Sequence, residues 1–261
     1  MVLKVRVIPT LLWKDVGLVK GVGFDSWRRV GPIVPAVRVY TARDVDELAV
    51  LDVTATIENR EPDLDLVEEV AAHASVPLSF GGGITSPEQV ARIIEAGADK
   101  VIINSALYSD IALVERCADR FGAQCVVAGI DFRRLEGGIR CYSRSGTIAT
   151  THDPVSWART VESAGAGEIL LTSINRDGAM IGLDIEVIRS VVEAVGIPVI
   201  ASGGAASSAD LVAAVKSGGA SAVAAASVFH FTELTPQQVK DHLAQEGIPV
   251  RAAIDGSLEN S

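Results

Sequence analysis

Along the chain, short runs rich in Val, Ile and Leu alternate with longer stretches whose apolar residues recur at helical spacing. The short runs begin near Val5, Leu48, Leu78, Val101, Val126, Ile169, Val199 and Ala222. Between them, residues 86–96, 111–121, 154–164, 185–195, 209–217 and 236–245 have the amphipathic period of a helix packed on one face. Gly97, Gly122, Gly165, Gly196-Ile197-Pro198 and Gly218-Gly219 punctuate the boundaries. Strands alternating with helices predict parallel pairing through right-handed crossovers. Alternation alone fits an open doubly wound sheet as well as a closed barrel.

An internal repeat separates the two. Val76-Pro77-Leu78-Ser79-Phe80-Gly81-Gly82-Gly83-Ile84 matches Ile197-Pro198-Val199-Ile200-Ala201-Ser202-Gly203-Gly204-Ala205. Residues 46–52 align with 167–173 at the same offset, and Gly97-Ala98-Asp99 with Gly219-Ala220-Ser221 one residue out of step. Two copies of four β/α units close a barrel with twofold pseudosymmetry, whereas an open sheet gives no reason for the duplication. The expected fold is therefore α/β, a single (β/α)₈ barrel over residues 1–251. Its half-barrels cover about 1–122 and 123–251, and the small, polar tail 252–261 is expected to be disordered.

With 261 residues, the chain has the usual length for one such barrel. A formal net charge of -10 argues against nucleic acid and anionic membrane as partners, since both demand a basic footprint. An anionic small molecule can still bind where backbone amides supply local positive potential. Cys117, Cys125 and Cys141 lack metal-ligand spacing and read as free thiols in a reducing cytoplasm. No metal and no cofactor is implied. There is no apolar run of membrane-spanning length and no signal-peptide core, so a cytoplasmic location is expected.

In this fold, chemistry sits at the C-terminal ends of the strands. Gly81-Gly82-Gly83 follows the third barrel strand, and Asn104-Ser105 the fourth. Ser202-Gly203-Gly204 and Ala226-Ser227 repeat the arrangement after the seventh and eighth. Glycine lets the backbone approach an anion, and exposed amides and a hydroxyl donate to it. One such turn is as readily a plain tight turn. Two at equivalent places, each followed by a serine after the next strand, predict an elongated ligand with a phosphate at each end.

Several blocks carry a family resemblance over about residues 1–251. They are Leu51-Asp52-Val53-Thr54-Ala55, Phe80-Gly81-Gly82-Gly83-Ile84, Gly97-Ala98-Asp99-Lys100-Val101, the run 165–174, Arg176-Asp177-Gly178 and Ala225-Ala226-Ser227-Val228-Phe229-His230. The chain resembles the cyclase subunit of imidazole glycerol phosphate synthase. It is less like the sister phosphoribosyl-formimino isomerase, which shares both cradles but not the Ser-Val-Phe-His ending. The resemblance implies a lyase fed with ammonia through the barrel by a class I glutaminase subunit. It also implies a bisphosphorylated substrate held at Gly82, Gly83, Asn104, Ser105, Gly178, Gly203, Gly204, Ala226 and Ser227, with Lys20, Ser145, Gly146 and Ser173 as further contacts.

The family's chemistry implies two catalytic aspartates, at the ends of the first and fifth strands, dividing protonation and deprotonation between them. Asp131 occupies the fifth-strand position, but in Ile8-Pro9-Thr10-Leu11-Leu12 the first-strand position holds Leu12. Leucine cannot move a proton. Asp15 lies three residues on, in the first loop, and is the minor candidate to replace the lost carboxyl, against the mobility expected of that loop and the fixed geometry catalysis needs. Asp52 and Asp177 complete the candidate catalytic set, the latter with a plain reading as a turn residue capping Gly178. Trp13 is expected to flatten the pocket wall or simply to pack, and His230 to be structural.

Arg6, Glu47, Lys100 and Glu168 match the charged ring that gates the family's ammonia channel, and a polar tunnel is expected to rise from it. Asp99 matches a contact to the glutaminase. A stabilising salt-bridge layer is the competing reading of the ring. Relatives with Leu-Leu after Ile-Pro work with a glutaminase and a separate amidotransferase in acetamidino-sugar formation, and this segment resembles theirs. The leading expectation is thus a paralogue serving amidation of a sugar or specialised metabolite. The alternatives are a genuine cyclase of histidine biosynthesis and a non-catalytic barrel that activates a glutaminase.

Overall fold

The computed structural model describes residues 4–251. The expectation for the tail 252–261 lies outside them. Among the described residues, twelve strands form in chain order: β1 (Arg6–Lys14), β2 (Gly17–Val22), β3 (Asp25–Gly31), β4 (Leu48–Asp52), β5 (Leu78–Gly81), β6 (Lys100–Ile103), β7 (Val126–Leu135), β8 (Gly138–Ser143), β9 (Ile148–Ala149), β10 (Glu168–Ser173), β11 (Val199–Ser202) and β12 (Ala222–Ala225). Nine α-helices accompany them among the described residues: α1 (Ile33–Ala42), α2 (Leu64–Ala71), α3 (Pro87–Glu95), α4 (Ala112–Phe121), α5 (Pro154–Ser163), α6 (Ile185–Val192), α7 (Ser208–Lys216), α8 (Ser227–Phe231) and α9 (Pro236–Gln245).

Eight strands pair in parallel in the closed order β1-β4-β5-β6-β7-β10-β11-β12 and back to β1. This is a (β/α)₈ barrel. The half-repeat is visible in the helix caps. Asp63 accepts from the Leu66 amide at the start of α2, as Asp184 does from Val187 at α6. Ser86 caps α3 as Ser207 caps α7, where Asp210 completes a capping box. Each pair lies at one common offset, so both halves start their helices with the same local chemistry.

Apolar residues divide between two layers. One lies between strands and helices and includes Val7, Leu48, Phe80, Val101, Ile130, Ile169 and Leu211. A smaller layer inside the barrel comprises Ile8, Ala49, Ile102, Val127, Leu170, Ile200, Ala222 and Ala224. Along β1, Ile8 thus faces the axis while Val7 and Leu11 face the helices, the alternation a strand imposes.

The loop after β1 differs from expectation. β1 runs on as an antiparallel sheet with β2 and β3, so the segment is a hydrogen-bonded hairpin rather than an irregular loop. The second half repeats the device, with β7 continuing into β8 and β9. Both extensions stand on the C-terminal face. Arg133 Nη2 donates to the carbonyls of Gly23 and Gly146, at 3.4 Å each, and so ties the two turns together. The three cysteines are free. Among the described residues, no helix is long and apolar enough to cross a membrane.

Candidate functional site

A cavity of about 720 Å³ opens at the C-terminal ends of the strands. Its floor is built by Thr10, Gly129, Asp131, Leu170 and Thr172, all from barrel strands. Leu12 and Asp131 both line it. Leu12, paired with Leu51 of β4 and 8% exposed, is an apolar wall residue. Trp13, next along the strand, packs instead against the outer core and does not line the cavity. Asp15 sits at the exposed β1–β2 turn with φ 54°, away from the cavity lining, so the geometry offers no replacement carboxylate there.

Asp131 accepts a 2.7 Å hydrogen bond from Asn104 Nδ2. Burial, followed by repulsion from Asp177, pushes its carboxyl up to about 7, against a hydrogen bond from Thr172 that favours the charged form. Asp177 is pushed up to about 6, again chiefly by burial, with Lys20 pulling the other way. Lys20 is itself buried, donates to the Thr10 carbonyl at 3.2 Å, and is lowered to about 8 by desolvation. The expected substrate contact Lys20 therefore stands behind the wall, where it biases Asp177. The cavity holds two carboxyls whose protons come off near neutrality.

Asp52 plays a different part from these two. Its Oδ1 accepts from the Thr54 and Ala55 amides at 3.0 Å, and Arg60 closes an ion pair at 3.1 Å. Although the residue borders the cavity, its carboxylate is spent on holding the β4–α2 loop. The geometry thus makes it a positioning residue, where the sequence reading grouped it with the catalytic set.

The first-half cradle lies wholly within the cavity wall: Gly82, Gly83, Asn104 and Ser105 all line it. Gly82 has φ 124°, and a Cβ there would meet the Asp52 carbonyl at 2.5 Å, so only glycine fits. Ser145 is brought to the same rim and donates to the Val53 carbonyl. The second half is less open. Ser202 and Ala226 line the cavity, but Gly203, Gly204, Ser227, Ser173, Gly146 and Gly178 do not. A Cβ at Gly178 would fall 1.9 Å from the Gly21 carbonyl, because the β2–β3 hairpin lies directly over it. Gly23 also donates to the Asp177 carbonyl at 2.9 Å.

Phe24, Trp27, Arg60 and Arg144 also line the cavity and were absent from the sequence-derived set. All belong to the two antiparallel extensions or the β4–α2 loop. A chain read as eight strands carries no signal for them. His230 lies outside the lining, 3.3 Å from the Tyr40 hydroxyl, in keeping with a structural role.

At the opposite end, Arg6 pairs with Glu47 at 2.7 Å and with Glu168, while Lys100 bridges Glu47 and Glu168 at 3.0 and 2.9 Å. Ser79 donates to Glu47. Above this ring lies the inner apolar layer, which encloses a void of about 10 Å³ between Ile8, Ala49, Ser79, Val127 and Ala224. The expected polar tunnel is not what is found. The axis is lined by hydrocarbon, with Ser79 and Glu47 the polar contributors to the void. Asp99 is exposed at this same end and accepts from the Leu78 amide at 2.8 Å.

A closed eightfold barrel, duplicated halves and a strand-end cavity with half-buried carboxyls and glycine turns agree with a match to a known family. The model of the histidine biosynthesis protein family covers residues 6–235, nearly all of the barrel, and the chain belongs to that family of barrel enzymes.

Proposed function

We propose that this chain is the ammonia-accepting barrel of a glutamine amidotransferase complex, a cyclase-like paralogue that acts on a phosphorylated or similarly anionic substrate in the amidation of a sugar or specialised metabolite. The observation that carries this reading is Leu12. It occupies the cavity wall at the position where the resemblance puts the first catalytic carboxylate, and loss of one positioned acid or base costs about 10²–10⁴ in rate. The charged ring at the far end is nevertheless intact. The apolar axis suits ammonia as the cargo, since neutral NH₃ enters hydrocarbon at far lower cost than ammonium. Leakage of water and protons is opposed by the same lining.

Two assays test the proposal together. A glutaminase of the class I type should turn over faster in complex with the chain, and the chain should fail to restore growth to a histidine auxotroph lacking the cyclase. Robust growth would overturn the paralogue reading. An unchanged glutaminase would overturn the complex. Stimulation with no ammonia-derived product from any phosphorylated acceptor would leave only the activating scaffold.

One observation favours the alternative, a genuine cyclase of histidine biosynthesis. Asp131 and Asp177 both line the cavity, and burial raises both carboxyls above the ordinary range, so two proton-carrying groups face the same space without a carboxylate at position 12. The complementation assay decides between the two.

A further inference from the structure

Arg144 stands out among the charged groups of the cavity. It lies in the turn between β8 and β9, and both it and Ser145 adopt left-handed backbone, φ 50° and 52°, though neither is glycine. Such conformations are strained and persist where the surroundings hold them. Here the Arg144 amide donates to Ser105 Oγ at 2.8 Å, and Ser145 Oγ to the Val53 carbonyl at 2.7 Å. The turn is thereby fastened to the first-half cradle. With Ser105 Oγ accepting from Arg144, its own hydroxyl proton remains free to donate.

The guanidinium reaches across to the β4–α2 loop, where it meets only neutral acceptors: Asn59 Oδ1 at 3.3 Å and the Ile57 carbonyl at 3.1 Å. No carboxylate lies within ion-pair distance of it among the described residues. Arg60, the other arginine on the lining, is in contrast neutralised by Asp52 and Glu58. A cation that lines a cavity beside a glycine turn and a serine hydroxyl, uncompensated, is placed to meet an anion with its remaining donors.

We propose that Arg144 is a specificity-determining residue of the first-half cradle, selecting a doubly charged phosphomonoester end over singly charged groups. The assignment rests on the reading of Gly82, Gly83 and Ser105 as an anion site. The Gly82 turn and the Ser105 hydroxyl supply shape and hydrogen bonds to any tetrahedral oxyanion, and Arg144 supplies the charge that discriminates between them.

The test follows the Gly82 amide by NMR at about pH 8, where a phosphomonoester is fully doubly charged. Glycerol phosphate and the singly charged diester dimethyl phosphate are titrated in turn. The wild-type chain should bind the monoester about tenfold more tightly than the diester, and Arg144→Gln should collapse that preference to about twofold. Arg144→Lys should retain most of it, and Asn59→Ala should leave it within about twofold, since it removes the neutral latch and keeps the charge. A preference preserved in Arg144→Gln would overturn this assignment while leaving the cradle itself intact. Loss of preference in Asn59→Ala to the same degree as in Arg144→Gln would also overturn it, by tracing the effect to loop packing. An unresponsive Gly82 amide in the wild type would overturn the cradle and this inference together.

Discussion

The side-chain amide of Asn104 donates a 2.7 Å hydrogen bond to Oδ2 of Asp131, linking the end of β6 to the middle of β7. The other side-chain atom, Asn104 Oδ1, is buried without a partner, as is Thr10 Oγ1 across the floor. Asn104 therefore fixes one Asp131 oxygen and offers its own carbonyl to the cavity. Of the residues read from sequence as a phosphate contact, Asn104 is the one whose geometry ties it to Asp131 as well. Asn104 thus joins the turn that carries Ser105 to Asp131 on the cavity floor.

The raised Asp131 carboxyl has a consequence for stability. Its proton is held to about pH 7 in the fold, against about 3.9 in an unfolded chain. The resulting contribution is fully present below about pH 4 and is lost as pH rises toward 7, where the folded chain must carry a desolvated charge. Asp131→Asn should remove this penalty while still accepting from Asn104. The variant should be stabilised by about 2 kcal/mol at pH 8, raising Tm by about 5 °C, and be indistinguishable from wild type near pH 4. Thermal melts at both pH values check this. An equal shift at each would trace the effect to packing.

Leu12→Asp places a carboxyl on the cavity wall that Leu12 shares with Asp131. The substitution should cost about 2 kcal/mol of stability, because a third carboxyl joins two that already repel. It should also raise ammonium-dependent cyclisation of the family's bisphosphorylated substrate by about 10² or more. Single-turnover assays with ammonium salts measure the gain directly. No gain would count against Leu12 as the vacated catalytic position.

How much of this site can be read from sequence depends on what kind of signal each residue leaves. Gly82 and Gly203 announce themselves through the half-repeat, and Asp131 through its motif at a strand end, because position along a strand fixes which face a side chain meets. The β2–β3 hairpin leaves no such trace: β2 is a short, largely buried strand interrupted by Gly21, and its partner β3 is mostly polar and exposed, so neither carries the alternation of a half-buried strand. Phe24, Trp27 and Arg144 therefore enter the cavity unannounced. Asp52 is a subtler case. Its sequence context marks a strand-end carboxylate, but only coordinates reveal Arg60, eight residues on, claiming it. The polar tunnel fails for a related reason: the charged ring is legible, whereas the layer above it is set by which of Ile8, Ala49 and Val127 face inward together.

Asp52→Ala tests that structural assignment. It orphans the Thr54 and Ala55 amides and leaves the Arg60 guanidinium without its buried partner. The expected cost is about 3 kcal/mol. Hydrogen exchange should quicken over residues 53–60 before it does elsewhere. Full protection there, with activity lost, would return Asp52 to the catalytic set.

Lys100→Met addresses the ring at the barrel's far end. Lys100 neutralises Glu47 and Glu168 together, and it is 18% exposed at the side chain, so its removal leaves two nearly buried carboxylates sharing Arg6. That arrangement should cost about 2 kcal/mol, less than a fully buried pair because water reaches the ring. If the ring is a gate for ammonia, the functional effect should depend on the nitrogen source. Glutamine-dependent product formation by the complex should fall about tenfold, ammonium-dependent formation should stay within about twofold, and affinity for glycerol phosphate should not change. Lys100→Arg should recover much of the loss, since it restores both ion pairs. An equal fall with either nitrogen source would reduce the ring to a salt-bridge layer, because a destabilised barrel has no way to distinguish ammonia arriving from below from ammonia arriving at the mouth.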